Sequence, residues 1–225
     1  MAQAPGRPRL VIWGASGHAL VVADIVRLGD RYDVVGFLDS VSPGRQGQPF
    51  AGKTVLGGQE QLAALRRQGV DSLIVAVGDC QARLSLAALA QAVGFSLAVA
   101  VHPAAIVARD VEIGAGTVVA AGCAINPGTR IGANVIVNTG AIVDHECVVE
   151  DGVHLGPGVH LAGRVSIGRG TWLGIGTTVS DKVRIGAGSV VGAGSLVLRD
   201  IPDGVVAYGV PARTVRKNDL CGAEQ

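Results

Sequence analysis

The tripeptide Asp144-His145-Glu146 is the clearest candidate for chemistry in this sequence of 225 residues. Histidine is the side chain that exchanges protons closest to neutral pH, and a carboxylate that hydrogen-bonds one imidazole nitrogen raises the basicity of the other. The tripeptide therefore predicts a general base, in which His145 accepts the proton. The alternative interpretation is a solvated turn without function, because an exposed histidine between two carboxylates has no structural cost.

The remaining histidines and the cysteines give weaker indications. His154 and His160 fall at outward strand positions, where packing at an interface explains them as well as ligand binding does. Zinc accepts three imidazoles, but no ligand carboxylate accompanies these histidines, so we expect no metal. The cysteines lack CxxC spacing, which argues against a disulfide framework or a zinc knuckle. Cys123 and Cys147 are predicted to lie in the core.

A second candidate site is the turn Gly14-Ala15-Ser16-Gly17-His18. It departs from the GxGxxG pattern, because its second glycine is displaced and Ala19 replaces the third, and this argues against a dinucleotide. A helix N-terminus still favours phosphate. Asp39 ends the next predicted strand, where an acidic residue meets a ribose hydroxyl. We therefore expect a nucleotide-linked ligand; a tight turn without ligand is the alternative.

The candidate residues of this turn must be held in place by a folded domain. The pattern of residues 10–101 predicts an α/β domain. The predicted strands are Arg9–Trp13, Tyr32–Leu38 and Ser72–Val77, and the predicted helices are Ala19–Leu28, Gln59–Gln68 and Gln81–Ala92. The order of strand, glycine-rich turn, helix and strand is that of a βαβ unit, whose parallel strands place a ligand outside their carboxyl ends. The segment 46–55 is rich in glycine and proline and is predicted to be a loop or an edge segment.

The organisation changes to a repeat near residue 103, which divides the chain into predicted domains 1–103 and 104–225. Every sixth residue from Val107 to Val197 is aliphatic, and the residue two places before each is small. This period is typical of short strands joined by tight turns, with three strands closing one triangular coil. Coils stack at the strand spacing of roughly 4.8 Å, so the repeat predicts a prism.

The residues just before the aliphatic positions are predicted to point outward and form three faces. The polar face carries Glu112, Arg130, Val148, Ser166 and Arg184. The first apolar face carries Val118, Ile136, His154, Trp172 and Val190. The second apolar face carries Ile106, Ala124, Ile142, His160, Thr178 and Leu196. Exposed apolar strips usually mark an interface. We therefore expect a cyclic homo-oligomer, most simply a trimer with its active site between subunits.

The corner between the two apolar faces consists of small turns. This small-residue corner comprises Ala120-Ala121-Gly122, Asn138-Thr139-Gly140, Gly156-Pro157-Gly158, Gly174-Ile175-Gly176 and Gly192-Ala193-Gly194. Small residues permit close approach of a ligand or another backbone. Trp172 is expected to line the subunit interface or a ligand groove rather than the core.

Composition excludes several classes of protein. Lys and Arg number 19 against 18 Asp and Glu, so no basic excess supports nucleic-acid binding. Glycine, proline or a charge interrupts every apolar run before the ~18 residues that a membrane span needs, and membrane insertion is not expected. The first ten residues lack the apolar stretch of a signal peptide, which predicts a cytoplasmic protein. The segment after Lys217 is expected to be a mobile end.

Five segments in order along the chain carry a family resemblance: GASGHALVVADI, FLDS, AVGDCQAR, NTGAIVDHECVVEDGVHLGPG and GVPAR. Together they resemble hexapeptide-repeat sugar acetyltransferases, in the subgroup of the sialic acid O-acetyltransferases and the nucleotide-linked 4-amino-sugar N-acetyltransferases of bacterial glycan pathways. The resemblance implies a Rossmann-like α/β domain followed by a left-handed parallel β-helix. It also implies direct acetyl transfer from acetyl-CoA to the amine of a nucleotide-activated 4-amino-4,6-dideoxy sugar, without a metal. An O-acetyltransferase acting on sialic acid or a related sugar, and a non-enzymatic trimeric scaffold, are the alternatives.

The resemblance also implies roles for individual residues. His145 matches the family's general base, and Glu146 matches the residue that raises its basicity. Positions that contact acetyl-CoA are matched by Asn138, His154, Ile175 and Ala193. Positions that hold the nucleotide sugar are matched by Ser16, Gly17, His18, Asp39, Ser40 and Gly78. Ala193 departs from a glycine of relatives, and Ser40 replaces an acidic residue of some relatives, so UDP, GDP and dTDP all stay open as the nucleotide.

Overall fold

The protein is described by a computed structural model covering residues 6–218. Within this range an α/β layer precedes a prism of stacked short strands. The expected mobile end after Lys217 lies outside the described residues except for Asn218. None of the helices in residues 6–218 is long and apolar enough to cross a membrane.

The α/β layer confirms the predicted order of strands and helices. Its elements are β1 (Arg9–Trp13), α1 (Gly17–Gly29), β2 (Asp33–Leu38), β3 (Pro49–Phe50), β4 (Lys53–Gly57), α2 (Leu62–Arg67), β5 (Ser72–Val75), α3 (Cys80–Ala92) and β6 (Ser96–Leu97). Two 3₁₀ turns, Pro43–Arg45 and Gln59–Gln61, precede β3 and α2. The segment 46–55 contains β3 and the start of β4, which form a hairpin at one edge of the sheet.

The sheet has the strand order β3-β4-β2-β1-β5-β6, and the pairs from β4 to β6 are parallel. Side chains alternate across the sheet, so Leu10 and Ile12 pack with α1 on one side while Val11 and Trp13 pack with α2 and α3 on the other. The chain passes from β1 to β2 on one side of β1 and later crosses to β5 on its other side. The carboxyl ends of β1 and β5 therefore form the topological switch point at which such sheets bind ligands.

The prism consists of two-residue strands, each paired in parallel with the strand one coil away. They are β7 (Ala100–Val101), β8 (Ile106–Val107), β9 (Glu112–Ile113), β10 (Val118–Val119), β11 (Ala124–Ile125), β12 (Arg130–Ile131), β13 (Ile136–Val137), β14 (Ile142–Val143), β15 (Val148–Val149), β16 (His154–Leu155), β17 (His160–Leu161), β18 (Ser166–Ile167), β19 (Trp172–Leu173), β20 (Thr178–Val179), β21 (Arg184–Ile185), β22 (Val190–Val191) and β23 (Leu196–Val197). A final antiparallel hairpin, β24 (Val205–Gly209) and β25 (Ala212–Lys217), extends the first apolar face. The parallel β-helix is thus confirmed, whereas the domain division at residue 103 stays a prediction, since β7 already pairs with the prism.

The interior of the prism has the predicted composition. The aliphatic residues from Ile125 to Val197 and the small residues Cys123 and Cys147 are buried. Inward threonines are satisfied by the neighbouring coil: Thr129 Oγ1 donates to the Asp144 carbonyl at 2.9 Å, and Thr171 Oγ1 donates to the Gly186 carbonyl at 2.6 Å. Buried hydroxyls therefore reinforce the stacking instead of opposing it.

Most prism corners place one residue in the left-handed backbone region, and glycine usually fills this position. The corner between the second apolar face and the polar face is different, because Glu146, Arg164 and Lys182 adopt φ values of 57°, 61° and 60° there. A side chain in this region costs on the order of 1 kcal/mol relative to glycine. The corner that carries the predicted base thus has side chains at positions where glycine would avoid the backbone strain.

The structure corrects our interpretation of the first apolar face. We expected a neighbouring subunit to cover it, but Val118 and Ile136 are each only 1% exposed within the single chain. The chain's own α/β layer packs over this part of the prism and joins it in one hydrophobic core. The second apolar face is not covered by the same chain in this way, since Ile106 is 75% and Ile142 is 37% exposed.

A buried arginine joins the two parts of the chain. Arg83, on α3, is 1% exposed and donates to the carbonyls of Asn134, Gly152 and Val153 in the prism at 2.7–3.3 Å. The same guanidinium donates at 2.9–3.2 Å to the carbonyls of residues 77–79, which follow β5. Burial lowers the pKa of the guanidinium below its usual value. The six carbonyl dipoles take the place of solvent around the charge.

We expect Arg83→Ala to lower the free energy of unfolding by about 3 kcal/mol, because buried carbonyls lose their donors. Arg83→Lys restores only part of this loss, since an ammonium group offers three donors on one atom instead of a planar fork. Urea unfolding measures both variants, with Arg67→Ala, at an exposed position of α2, as the control within about 0.5 kcal/mol of the parent. A loss below 1 kcal/mol for Arg83→Ala would contradict the structural role.

Candidate active site

The predicted base lies on an exposed prism corner between β14 and β15. His145 Nδ1 is 2.9 Å from Glu146 Oε2, and the same oxygen accepts from Arg164 Nε at 2.9 Å. Hydrogen bonds from His145 and Arg164 lower the pKa of Glu146, so it stays a carboxylate. An ionised carboxylate only accepts hydrogen bonds, so Nδ1 of a neutral His145 carries the proton and Nε2 has a free lone pair.

The rest of the corner holds this pair in place. Asp144 Oδ1 accepts from Asn126 Nδ2 at 2.8 Å and from the backbone N–H of His145 at 2.7 Å. These bonds lower the pKa of Asp144, with the one from Asn126 contributing most. Asp144 therefore shapes the turn, while Glu146 orients the imidazole. A Cβ on Gly163 would lie only 2.6 Å from His145 Nε2, so the ring packs directly over this glycine.

Sequence reasoning missed Gly163 and Arg164 as members of this corner. Both stand one full coil after the residues they support, as the pairing of Val143 with Leu161 establishes. The 18-residue spacing was therefore the signal that identifies them. The pattern indicates which residues are stacked but does not indicate which stacked pairs form hydrogen bonds.

A second cluster lies where the α/β layer meets the prism. His154 Nδ1 is 3.1 Å from the carbonyl oxygen of Gly78, and its Nε2 is 3.3 Å from Asn138 Nδ2. A carbonyl only accepts, so Nδ1 donates and Nε2 accepts from the Asn138 amide. Burial lowers the pKa of His154 to about 4, so the imidazole is neutral at physiological pH.

His18 belongs to the same cluster. Its ring centroid lies 6.3 Å from that of His154. Burial, followed by the nearby His154 and Arg83, lowers the pKa of His18 to about 4. Its Nε2 atom is buried and has no hydrogen-bond partner among residues 6–218. Four residues that were predicted separately are thus brought together where the α/β layer meets the prism, a junction that we call the seam: His18, Gly78, Asn138 and His154.

The other predicted nucleotide-sugar residues lie at the carboxyl ends of the strands. Ser16 and Gly17 are exposed at the start of α1, and the Ser16 side chain makes no cap hydrogen bond there. Asp39 and Ser40 follow β2 and line a cavity of about 350 Å³. Asp39 accepts from the backbone N–H groups of residues 41 and 42 and from Arg45 Nη1 at 3.3 Å.

The predicted coenzyme residues Ile175 and Ala193 lie on the small-residue corner, on the two coils that contain β19 and β22. Asn138 stands on the same corner at the coil that contains β13. His145 follows β14 whereas Asn138 precedes it, so the second apolar face separates them. Within residues 6–218 the base and the small-residue corner are not brought together in one chain.

A larger cavity of about 480 Å³ lies between the start of α3 and the first apolar face. Gly78, His154, Trp172 and Val190 are among its lining residues. Trp172 is 38% exposed, and its ring meets that of His154 edge-on with centroids 6.4 Å apart. The expectation for Trp172 was a subunit interface or ligand groove; the structure locates it in this cavity between the two parts of its own chain.

The part of the chain that the structure describes contains no group of side chains suited to bind a metal ion, and two of its thiols are inaccessible. Residues 6–218 contain no group of three His, Cys, Asp or Glu that could hold a metal ion. Cys123 and Cys147 are fully buried, and burial raises the pKa of Cys147 to about 11. These two thiols are core residues, as predicted.

Two family models match the chain. Residues 9–89 match the PglD N-terminal domain, and residues 164–199 match the bacterial transferase hexapeptide (six repeats). No curated protein matches.

Solved structures match over nearly the whole length. PerB from Caulobacter crescentus, solved with CoA and GDP-perosamine, is 42% identical with a TM-score of 0.86, and the match covers 96% of this chain and 100% of that chain. A mutant of perosamine N-acetyltransferase from the same organism, also solved with CoA and GDP-perosamine, matches with the same identity and TM-score. The acetyltransferase domain of PglB from Neisseria gonorrhoeae FA1090, solved with acetyl coenzyme A, is 37% identical with a TM-score of 0.87, covering 93% and 100%. WeeI from Acinetobacter baumannii AYE is 25% identical with a TM-score of 0.77, covering 92% and 99%.

The seam histidines generate a pH dependence of stability. Both have a pKa of about 4 in the folded protein and an ordinary value of 6.5, so the unfolded chain binds more protons between these limits. The free energy of unfolding should therefore fall as the pH drops from 7 to 5, by on the order of 1–2 kcal/mol for each histidine.

Urea unfolding at pH 7 and pH 5 checks this dependence. His154→Gln should flatten the slope, because one neutral buried imidazole is removed. The control Arg67→Ala removes an exposed side chain of α2 that stays protonated at both pH values, and it should leave the slope as it is in the parent protein. The expectation fails if stability is equal at the two pH values.

Proposed function

The chain belongs to the hexapeptide-repeat family, in the subgroup of the nucleotide amino-sugar N-acetyltransferases, and on this premise we propose that it acetylates the amine of a nucleotide-activated 4-amino-4,6-dideoxy sugar with acetyl-CoA. The observation that carries the proposal is the exposed His145–Glu146 pair, because it presents a free imidazole lone pair to an incoming amine. Bacterial glycan biosynthesis is the corresponding setting. Acetyl-CoA is a cytoplasmic metabolite, which supports a cytoplasmic enzyme.

The proposed mechanism is direct transfer. His145, oriented by Glu146 and Arg164, removes a proton from the sugar amine as the nitrogen attacks the thioester carbonyl. The C–N bond forms, the C–S bond breaks, and the imidazole returns its proton to the departing thiolate. Backbone N–H groups of a prism turn are suited to stabilise the oxyanion. A covalent acetyl-enzyme on Cys123 or Cys147 is unnecessary, since both thiols are buried.

We assign the nucleotide sugar to the α/β layer and the coenzyme to the small-residue corner. Ser16, Gly17, His18, Asp39, Ser40 and Gly78 are proposed to hold the nucleotide sugar, and Asn138, His154, Ile175 and Ala193 to contact acetyl-CoA. The cavity beside Asp39 and Ser40 supports the first assignment. His154 contacts both Asn138 and Gly78. These contacts support the proposal that the two substrates meet at the seam.

A homotrimer completes the proposal. The base and the small-residue corner flank opposite sides of the second apolar face, whose Ile106 and Ile142 are exposed. If a neighbour packs against this face, His145 of one subunit approaches Asn138 of the next. The trimer would thus both cover the apolar face and assemble the active site between subunits.

The test of the function is an assay of thiol release from acetyl-CoA with GDP-, UDP- and dTDP-linked 4-amino sugars and with free sialic acid. We expect turnover of one nucleotide amino sugar and none of sialic acid. His145→Ala should lower kcat by roughly 10²–10⁴ with little change in nucleotide-sugar affinity, the range for loss of a general base. Glu146→Gln should lower kcat less, because the imidazole loses its orienting charge but remains.

The control for these variants is Arg67→Ala, which changes an exposed side chain of α2 outside the prism and should keep normal turnover. Near-normal turnover of His145→Ala would remove His145 from its role. Turnover of sialic acid alone would favour the O-acetyltransferase. A chain that shows no thermal shift with acetyl-CoA would favour a scaffold.

Light scattering should give a mass about three times the 22.7 kDa of the chain. Ile142→Arg on the second apolar face should dissociate the oligomer and abolish turnover, because it introduces a charge into the proposed interface. Val148→Arg is the matched control, since Val148 is 41% exposed on the polar face, compared with 37% for Ile142. A monomeric parent protein at micromolar concentration would overturn the trimer.

A further inference from the structure

The cavity of about 480 Å³ at the start of α3 has no role in the assignments above. It reaches Gly170 and Gly188, which stand at the prism corner between the polar face and the first apolar face. The small-residue corner is at the opposite edge of the first apolar face. The cavity therefore lies on the far side of His154 from the place proposed for acetyl transfer, and its occupant need not be a substrate.

We propose that the occupant is the segment that follows the described residues, 219–225, with the side chain of Leu220 inserted into the cavity. The sequence of this segment is DLCGAEQ, in which Leu220 is the one large apolar residue. The inference goes beyond the proposed function, because no substrate takes part in it. It also differs from the expectation of a mobile end after Lys217.

The path of the chain leads this segment to the cavity. β25 ends at Lys217, and Asn218, the last described residue, is among the residues that line the cavity. The backbone N–H of Asn218 donates to the Gly204 carbonyl at 2.7 Å, and its Nδ2 donates to the Gly188 carbonyl at 2.8 Å. These two hydrogen bonds hold Asn218 against the prism corner, so residue 219 begins at the edge of the cavity.

The spacing along the segment selects Leu220. Side chains two residues apart point to the same side of an extended chain. The side chain of Asn218 points to the prism corner, so an extended continuation of β25 directs Leu220 to the same side and Asp219 to solvent. An extended chain covers roughly 3.3–3.6 Å per residue, so Leu220 is at most about 7 Å further along the chain than Asn218. The cavity is within this reach.

The walls of the cavity suit an aliphatic side chain. Trp172 and Val190 form an apolar wall from the prism, and Trp172 is partly exposed. Gly170 and Gly188 have no side chains, which leaves room at the corner for an incoming residue. Burying a leucine against these groups removes apolar surface of both partners from water, which is favourable. Gln81, on the side of α3, supplies an amide that can bond to the backbone of the segment.

A docked Leu220 would connect the same two parts of the molecule as Arg83 does, because α3 forms one wall of the cavity and the prism forms the other. One wall also carries a chemical probe. Cys80, the first residue of α3, lines the cavity and is 7% exposed. A reagent in solution reaches this thiol through the cavity, so the rate of its modification reports whether the cavity is filled.

The first test is alkylation of Cys80 by iodoacetamide, followed by peptide mass spectrometry. Truncation after Asn218 and the full-length variant Leu220→Ser should each accelerate the modification about tenfold over the parent protein, because the reactivity of a thiol depends on access. Cys123 and Cys147 in the prism core should stay unmodified, which shows that the variants are folded. Equal rates in the parent protein and both variants would overturn the proposal.

Asp219→Asn is the matched control, because the side chain next to Leu220 is expected to face solvent. It should leave Cys80 as protected as in the parent protein. Leu220→Met should keep most of the protection, since methionine has a similar volume and adapts to irregular cavities. Protection of Cys80 that arises only when acetyl-CoA is added would overturn the proposal and assign the cavity to the coenzyme.

The second test uses tryptophan emission. The chain has two tryptophans, and Trp13 is buried in the α/β layer. Truncation after Asn218 should increase the quenching of emission by acrylamide, because loss of Leu220 exposes Trp172. The same truncation in a Trp172→Phe background should leave the quenching unchanged. Equal quenching of the parent and the truncated protein would refute the docking. Neither test involves turnover, so a failure of the proposed function and a failure of this inference are separate results.

Discussion

The buried guanidinium of Arg83 is the interaction on which the arrangement of the molecule depends. A charge that is withdrawn from water needs a complete set of acceptors, and here three carbonyls come from the prism and three from the loop after β5. All six acceptors are satisfied only when α3 lies against the prism in one orientation. That orientation brings the Gly78 carbonyl to His154. The residues proposed to bind the nucleotide sugar and those proposed to bind the coenzyme are thereby held in fixed positions relative to each other.

His18, His154 and His145 lie in two different electrostatic environments. His18 and His154 are buried at the seam and are held neutral, so they act as uncharged hydrogen-bonding or packing groups. His145 is exposed and paired with a carboxylate that is itself paired with Arg164. Burial thus keeps the imidazoles of His18 and His154 uncharged near neutral pH, whereas His145 is exposed beside an ionised carboxylate. The same residue type serves different purposes because its surroundings set its charge.

The hexad period predicted most of the prism, since a period of six with small inward residues admits few other packings. The period also predicted which side chains point outward. It did not indicate whether the outward residues Val118, Ile136 and His154 pack against the same chain or against a neighbouring subunit, because both cases need an apolar face. Arg83 was not recognised within AVGDCQAR, because an arginine on an amphipathic helix normally faces solvent. The contact between Asn138 and His154 joins a corner residue to the adjacent strand of the next coil, and the period alone does not predict it. His145 and Glu146 were predicted because their chemistry is contained in adjacent residues.

The uninterrupted two-residue strands also constrain how the chain can change in length. Removing or adding one residue within the prism would turn every later inward side chain outward and disrupt all three faces at once. Removing or adding one whole coil would only move the hairpin β24–β25 by one strand spacing of about 4.8 Å, because each coil repeats the same set of pairings. Whole coils can therefore vary in number only outside the stretch from Asn138 to Ala193, which holds the base, the seam and the residues proposed to contact the coenzyme.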